Sequence, residues 1–360
     1  MYEAAVTIPT PPSTASQPRA MSRKRSADHS ERERFCSRCP GIFPPLTDLC
    51  PDDCVSLDFR DIPHVVAGKY RVEQRLGRGG TSDVYLARDL SLGRLVTLKT
   101  LRRAAPESIE MLRQEACITA ALMHPHVAVL FGVETWHETP ILVFEYLEDG
   151  TLTERIAGEA IPVRSVIEWG IGLAGGLEAA HVRGILHGDV KPANVGFNAF
   201  GTPKLLDFGL ASALRPHEEL RRRGPAGGSP SDCVRGTAPY LSPEAITGQE
   251  AQPAFDLWGL GITLYEAVTG VNPYRQTAVD KVFQRILGEP LPDPRDFRPG
   301  CSDELARFLR SALSRRCARR PQTAREFRAR LEEVRERRLY DFPAVSERVV
   351  DTFPSRTFAA

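Results

Sequence analysis

The sequence predicts an α+β protein in which a small β-rich lobe precedes a larger α-helical lobe. Short runs of Val, Leu and Tyr broken by glycines fill residues 70–146, whereas apolar residues recur at helical spacing after Gly150. The chain has 360 residues, enough for two or three compact units at roughly 150 residues each. The two lobes therefore account for most of the chain, and a short Cys-rich segment precedes them.

The domain organisation follows from shifts in composition. Residues 1–35 combine Pro, Ser, Thr and Ala with a mixed-charge run and show no apolar periodicity, which predicts disorder. Residues 36–63 are rich in Cys and Pro and too short for an apolar core, so they need a metal or a neighbour to fold. The lobes are predicted at 70–146 and 150–338, together one domain at 70–338, followed by a tail at 339–360.

The small lobe is expected to contain five strands and one inserted helix. From Glu107 to Met123 the apolar positions recur at intervals of three and four, which is typical of an amphipathic helix packed on a sheet. The strand-like runs are rich in Val, Leu and Tyr and are bounded by turn residues. The predicted strands are Tyr70–Leu76, Asp83–Arg88, Leu95–Leu101, Val129–Val133 and Ile141–Phe144.

The large lobe is expected to be mostly helical. The nearly all-apolar run Leu257–Val268 predicts a buried helix. Residues 301–340 hold twelve arginines against six acidic residues, interleaved with apolar residues at helical spacing. We favour a solvated face of terminal helices for this segment, and the alternative is a phosphate-binding stripe. A further helix is marked by one face, formed by Val166, Gly170, Leu173, Leu177 and His181.

The charge balance and the hydropathy exclude some classes of function. With 47 basic and 46 acidic side chains the net charge is +1, which argues against nucleic-acid binding by bulk charge. No apolar run approaches the roughly 18 residues of a membrane span, and the N-terminus lacks the apolar stretch of a secretory signal. We therefore expect a cytoplasmic protein.

A glycine-rich stretch from Leu76 to Val84 lies between two predicted strands. Its backbone amides can approach a phosphate chain because Gly77, Gly79 and Gly80 have no Cβ. Glycine-rich hairpins are also common turns, so this stretch alone does not decide between the two interpretations.

Lys99 and Glu115 add to this pattern. Lys99 lies one strand later, where its ammonium group can reach phosphates beneath the loop. A lysine on an inward-facing strand position needs a carboxylate partner, and Glu115 occupies the inward face of the predicted helix. Taken singly, each residue is more simply interpreted as a surface side chain.

Two polar blocks carry the strongest signal. The first runs from His187 to Asn194 and includes Asp189, and the second is Asp207-Phe208-Gly209. Two carboxylates and one carboxamide at these intervals can supply a base for a hydroxyl group and two oxygen ligands for Mg²⁺. Together with the glycine-rich loop they indicate phosphoryl transfer.

The ordered set of these blocks resembles the eukaryotic-type protein kinases, and among them the bacterial serine/threonine kinases. The resemblance covers about Tyr70 to Leu331 and implies the two-lobed protein-kinase fold. Three further blocks match, and they are Ser242-Pro243-Glu244, Asp256–Gly261 and Arg320-Pro321. In this family the arginine at the position of Arg320 pairs with the glutamate at the position of Glu244.

The resemblance implies ATP and Mg²⁺ as ligands and assigns residues to them. Lys99 holds the α and β phosphates and pairs with Glu115, while Asp207 and Asn194 bind Mg²⁺. The adenine lies against a hinge that follows Phe144 and bonds it through backbone groups. The implied nucleotide-binding residues are Leu76, Gly77, Gly79 and Val84 of the loop, Lys99, and Glu145 and Leu147 of the hinge.

The resemblance also assigns the acceptor side of the reaction. Asp189 orients the acceptor hydroxyl, and Lys191, two residues later, is similar to the serine/threonine-specific form of this loop. Thr237 supports the same specificity. We therefore expect protein serine and threonine side chains as acceptors.

Three residues depart from the family pattern. Gly188 replaces the arginine that usually precedes the catalytic aspartate and receives a phosphate from the activation segment. Thr97 replaces an alanine above adenine, and Gly196 replaces an apolar side chain below it. These departures predict weaker nucleotide binding and put activation by loop phosphorylation in doubt.

The segment from Asp207 to Glu244 contains Arg221–Arg223 followed by a glycine-rich stretch. The composition predicts mobility, because there is little to bury. Two interpretations stay open, a tolerated surface insertion or capture of substrate or phosphate by the arginines.

Four cysteines cluster near the N-terminus, namely Cys36, Cys39, Cys50 and Cys54. Two close pairs separated by ten residues can supply four thiolates to tetrahedral Zn²⁺. The second pair is spaced by three residues rather than two, so incidental thiols are the alternative. We favour zinc.

The sequence thus predicts a serine/threonine protein kinase of bacterial signalling, with ATP and protein substrates as partners. The main alternative is a pseudokinase that binds a nucleotide or a partner without turnover, suggested by Thr97, Gly188 and Gly196. A small-molecule phosphotransferase shares the His-Gly-Asp block but should lack the block at Asp256–Gly261.

Overall fold

The computed structural model describes residues 34–35, 42–43, 47–51, 58–59, 62–78, 82–101, 116, 119–120, 122–136, 139–157, 161–208 and 237–340. The chain divides into two compact units, Met1–Asp61 and Ile62–Ala360.

The first unit contains a small antiparallel sheet. Its strands are β1 (Arg34–Phe35), β2 (Ile42–Phe43) and β3 (Asp58–Phe59), in the order β2-β1-β3. Arg34 forms an ion pair with Asp48 at 2.6 Å. The first strand occupies the last two residues of the segment for which the composition predicts disorder.

The second unit begins with a six-stranded antiparallel sheet in the order β4-β5-β6-β7-β9-β8. Leu95–Leu101 is confirmed with its predicted bounds, and the other four predicted strands are each extended or shifted by one to three residues at an end. The edge strand Val65–Val66 lies ahead of the predicted start at Tyr70. The strands are β4 (Val65–Val66), β5 (Tyr70–Arg78), β6 (Ser82–Asp89), β7 (Leu95–Leu101), β8 (Leu130–Trp136) and β9 (Thr139–Glu145).

Alternation of buried residues explains why these runs form strands. On β6, Tyr85 and Ala87 are buried while their neighbours are half-buried. They pack with Val72 of β5 and Leu98 of β7 in one apolar cluster. Branched and aromatic side chains at every second position suit a pleated sheet with one covered face.

The predicted helix of the small lobe is described only in part. Ala116 and Thr119 are helical and buried, as the periodicity predicts. Met123 is outside the helix and 83% exposed, so its assignment to the apolar face was wrong. Leu122 is buried in its place. Residues 107–115, including Glu115, lie outside the described residues.

Two long helices of the large lobe match the predicted ones. The predicted helix around Leu173 is confirmed as Val163–His181, and the predicted buried helix as Pro253–Thr269. The second of these ends at Gly270, whose φ of 78° suits glycine. The helices are α1 (Leu152–Ala157), α2 (Val163–His181), α3 (Pro243–Ile246), α4 (Pro253–Thr269), α5 (Val279–Gly288), α6 (Pro294–Phe297), α7 (Asp303–Ala312) and α8 (Ala324–Tyr340).

Ion pairs neutralise much of the arginine-rich segment. Arg325 and Arg328 of α8 both contact Glu178 of α2, at 2.8 and 3.0 Å. Arg330 pairs with Glu326 one turn earlier. These contacts favour the solvated helix face over a phosphate-binding stripe. Among the described residues, no helix has the length and apolar character needed to cross a membrane.

A two-stranded antiparallel sheet lies between these helices and the small lobe. It consists of β10 (Val195–Phe197) and β11 (Pro203–Leu205). Val127 of the small lobe forms a parallel bridge with Leu205. This sheet places the residues before β10 and after β11 side by side.

Candidate active site

Lys99 and Asp207 form an ion pair between the two lobes. The Lys99 Nζ lies 2.6 Å from Asp207 Oδ2. Strand β7 fixes the buried Lys99 between Val84 of β6 and Leu142 of β9. Asp207 follows β11 and has a φ of 63°, a left-handed conformation that aspartate tolerates better than most residues. The pair brings together one cation and one carboxylate that the sequence assigns to phosphates and metal.

The glycine-rich loop is described at its two ends. Gly77 on β5 lies opposite Val84 on β6, and Val84 lies opposite Lys99 on β7. The hairpin is therefore adjacent to the lysine, as the sequence predicts. Leu76 is partly exposed, and Gly79 lies outside the described residues.

Asp189 is surrounded by three side chains that donate hydrogen bonds to its carboxylate. Lys191 Nζ donates to Oδ2 at 2.6 Å, and Asn194 Nδ2 donates to the same oxygen at 2.9 Å. Thr237 Oγ1 donates to Oδ1 at 3.2 Å and accepts from Lys191 Nζ at 2.8 Å. These bonds fix the orientation of the carboxylate, which is what a base for an acceptor hydroxyl requires.

Asn194 and Asp207 fit a hard cation. Asn194 Nδ2 donates to both the backbone oxygen and Oδ2 of Asp189, at 2.8 and 2.9 Å. The amide nitrogen is thus committed, which leaves the amide oxygen as the atom available to a metal. Oxygens of an amide and a carboxylate are ligands that suit Mg²⁺.

Asp256 holds the loop that carries Asp189. Its carboxylate accepts hydrogen bonds from the backbone nitrogens of His187 and Gly188, at 2.9 and 2.7 Å, and lies 2.8 Å from His181 Nε2. Asp256 is 2% exposed because it lies on the buried helix α4. No role was predicted for Asp256 from the sequence, although a carboxylate beside an apolar helical run is itself a signal of a buried partner.

His187 is fully buried beside Phe208, with 4.7 Å between the ring centroids. Burial lowers the pKa of His187 below its ordinary value of 6.5. Its Nδ1 lies 3.3 Å from the backbone nitrogen of Asp189, which donates to it. His187 is therefore neutral near pH 7 and helps to orient Asp189.

The hinge residues make contacts that the sequence did not predict. Glu145 uses its side chain to pair with Lys204 at 2.7 Å. A Cβ built on Gly196 would lie 2.6 Å from Leu147 Cδ1. The leucine side chain therefore occupies the space beside the glycine, and weaker nucleotide binding at this position stays a prediction.

The pairing of Arg320 with Glu244 is confirmed. Two hydrogen bonds of 2.7 and 3.0 Å join the guanidinium group to the two carboxylate oxygens. Both side chains are buried. A bidentate buried pair of this kind ties α3 to the end of the lobe.

The cysteine cluster falls largely outside the described residues. Cys36, Cys39 and Cys54 lie outside them, and Cys50 is buried. Within the described part of the chain no group of three or more His, Cys, Asp or Glu residues could hold a metal ion. Zinc binding stays a prediction.

A sheet lobe, a helical lobe and a lysine–aspartate pair between them are the architecture of a two-lobed phosphotransferase. The family model described as "Protein kinase domain" matches residues 70–330. The chain therefore belongs to the protein kinase family.

Three similar proteins come from bacteria. Serine/threonine-protein kinase PknB of Mycobacterium leprae is 33% identical over 281 residues, covering 76% of this chain and 44% of the relative. The protein of the same name from Mycobacterium tuberculosis (strain H37Rv) is 35% identical over 285 residues, with 76% and 44% coverage. A probable serine/threonine-protein kinase of Streptomyces coelicolor is 34% identical, with 75% and 40% coverage. The matched part spans less than half of each relative.

Proposed function

We propose that this chain transfers the γ-phosphoryl group of ATP to serine or threonine side chains of protein substrates. The observation that carries the proposal is the Asp189 carboxylate, oriented by Lys191, Asn194 and Thr237. The names of the relatives support the same activity.

The residues around Asp189 act on the acceptor. Asp189 accepts a hydrogen bond from the acceptor hydroxyl and takes up its proton as the new oxygen–phosphorus bond forms. The bond between the γ-phosphorus and the β–γ bridging oxygen breaks in the same step, and ADP leaves. Lys191 places a positive charge next to the reacting groups, which offsets negative charge on the transferred group. Thr237 touches both residues and supports serine and threonine as acceptors.

The Lys99–Asp207 pair acts on the nucleotide. The lysine ammonium binds phosphate oxygens, and Asn194 and Asp207 would hold Mg²⁺, which when bound offsets the charge of the phosphates. Nucleotide binding therefore replaces the ion pair between Lys99 and Asp207. By resemblance, Glu115 takes over as the partner of Lys99.

The remaining nucleotide contacts are assigned by the same resemblance. Leu76, Gly77, Gly79 and Val84 cover the phosphates and the base. Backbone groups of Glu145 and Leu147 bond the adenine. We extend the proposal to a role in cytoplasmic signalling, as the sequence predicts.

Transfer of labelled phosphate tests the proposal. The full chain is incubated with labelled ATP, Mg²⁺ and a generic protein acceptor, beside an Asp189→Asn variant whose fold is checked by circular dichroism. Label on serine or threonine in the wild type alone supports the proposal. Nucleotide binding without transfer would indicate a pseudokinase, and transfer to a small molecule alone would indicate a small-molecule phosphotransferase.

A further inference from the structure

A second ion pair joins the two lobes away from the reacting groups. Lys204 Nζ donates to both oxygens of the Glu145 carboxylate, at 2.7 and 2.9 Å. The side chains are only 13% and 19% exposed. Such a pair is held more firmly than a solvated one, because loss of either partner leaves the other charge poorly hydrated.

Val129 completes this contact on the side of the small lobe. Glu145 Oε1 accepts a hydrogen bond from the backbone nitrogen of Val129 at 2.7 Å. The backbone nitrogen of Glu145 donates in turn to the Val129 oxygen at 3.0 Å. The carboxylate therefore accepts three hydrogen bonds from two donors, Lys204 Nζ and the Val129 backbone nitrogen, and its position is fixed relative to both β9 and the start of β8.

The location of the pair connects the hinge with the metal-binding aspartate. Glu145 is the last residue of β9, at the point where the chain leaves the small lobe. Lys204 is the central residue of β11, and Asp207 follows it by three residues. Lys204 thus fixes the short strand that leads to Asp207 against the residue that begins the hinge.

The two ion pairs differ in what competes for them. Phosphates and Mg²⁺ compete for Lys99 and Asp207 in the proposed reaction. The described hydrogen bonds of Glu145 and Lys204 involve neither Lys99 nor Asp207. We propose that Lys204 is a positioning residue, which keeps Asp207 aligned with the hinge when the Lys99–Asp207 pair opens. This inference rests on the proposed function.

The inference predicts a coupling between the hinge and the metal. A nucleotide held by the hinge should gain affinity from Mg²⁺ only when Asp207 is aligned with it. Loss of the Lys204 charge should therefore weaken binding of Mg²⁺-ADP more than binding of metal-free ADP. A purely structural role for Lys204 would lower the melting temperature and leave the ratio of the two affinities unchanged.

The experiment measures the dissociation constant of ADP for the full chain with excess Mg²⁺ and with EDTA. The variants are Lys204→Met, Lys204→Arg and, as a matched control, Arg325→Met, which removes an exposed ion pair with Glu178. We expect the affinity gain from Mg²⁺ to fall at least about fivefold in Lys204→Met. Lys204→Arg should restore most of the gain, and the control should keep all of it.

Two results would overturn the inference. One is an unchanged gain from Mg²⁺ in Lys204→Met, with or without a lower melting temperature. The other is an equal fall in the Arg325→Met control. If Lys204→Met does not fold, Lys204→Gln, which keeps a donor without the charge, replaces it under the same criterion. A wild-type chain that gains no ADP affinity from Mg²⁺ would instead overturn the proposed function, and this inference with it.

Discussion

Replacing Gly188 with alanine is expected to destabilise the chain by about 1 kcal/mol. Gly188 has a φ of 77°, in the left-handed region. A residue with a Cβ loses roughly 1–2 kcal/mol in this conformation. The lower conformational entropy of the unfolded Gly188→Ala chain offsets part of that loss. The loop cannot relax easily, because the Asp256 carboxylate holds the backbone nitrogens of both His187 and Gly188.

Two other glycines make the measurement specific. Gly270 has a φ of 78° and open space where a Cβ would lie, so Gly270→Ala should show a similar loss. Gly288 also has open space but no left-handed conformation, so Gly288→Ala should be neutral or slightly stabilising. The free energy of unfolding is measured in urea for all three variants and the wild type. Wild-type stability of Gly188→Ala, together with the expected loss in Gly270→Ala, would refute the conformational argument.

The other predictions concern catalysis, pH, metal and regulation. Lys99→Met and Asp207→Asn should each lower phosphoryl transfer at least about a hundredfold, about 2.7 kcal/mol, measured as initial rates with the fold verified. Because burial lowers the pKa of His187, this side chain is protonated at a higher pH in the unfolded chain than in the folded one, and stability falls as the pH drops below 6.5. Between pH 7.5 and 5.5 the free energy of unfolding of the wild type should fall by up to about 1.4 kcal/mol more than that of His187→Phe. Parallel plots of this free energy against pH would contradict the prediction. Protein purified without added zinc should contain about one Zn²⁺ per chain by metal analysis if the cysteine cluster binds it, whereas metal-free protein with alkylatable thiols would mean incidental cysteines. Since Gly188 offers no guanidinium group, phosphatase treatment should change the transfer rate less than about tenfold, and a larger drop that rephosphorylation reverses would contradict this.

The parts of the fold that the sequence predicted are those with local patterns. Strand Leu95–Leu101 is found within its predicted bounds because its alternation is local to the strand. The buried helix around Leu257–Val268 is found because this run is nearly all apolar, with Thr263 and Glu266 as exceptions. Met123 was assigned wrongly because periodicity does not mark the residue at which a helix ends.

The parts that were missed depend on contacts between distant residues. Glu145 was assigned through its backbone alone, since its partner Lys204 lies 59 residues away on a strand of another sheet. Asp256 is separated from His187 by 69 residues. No pattern within either segment reveals which carboxylate meets which donor, because that depends on how the lobes pack.

Gly196 shows why departures from a family pattern are poorly judged one residue at a time. Taken singly, a glycine in place of the apolar residue below adenine predicts weaker nucleotide binding. The structure places the Leu147 side chain so close that a Cβ on residue 196 would lie 2.6 Å from it, and the next nearest atom is Leu206 Cδ1 at 3.3 Å. A larger residue at 196 would therefore have to displace Leu147, a hinge residue. The glycine and the leucine form one packing unit, so the glycine by itself is no argument for lost nucleotide binding, and the pseudokinase alternative loses one of its three supports.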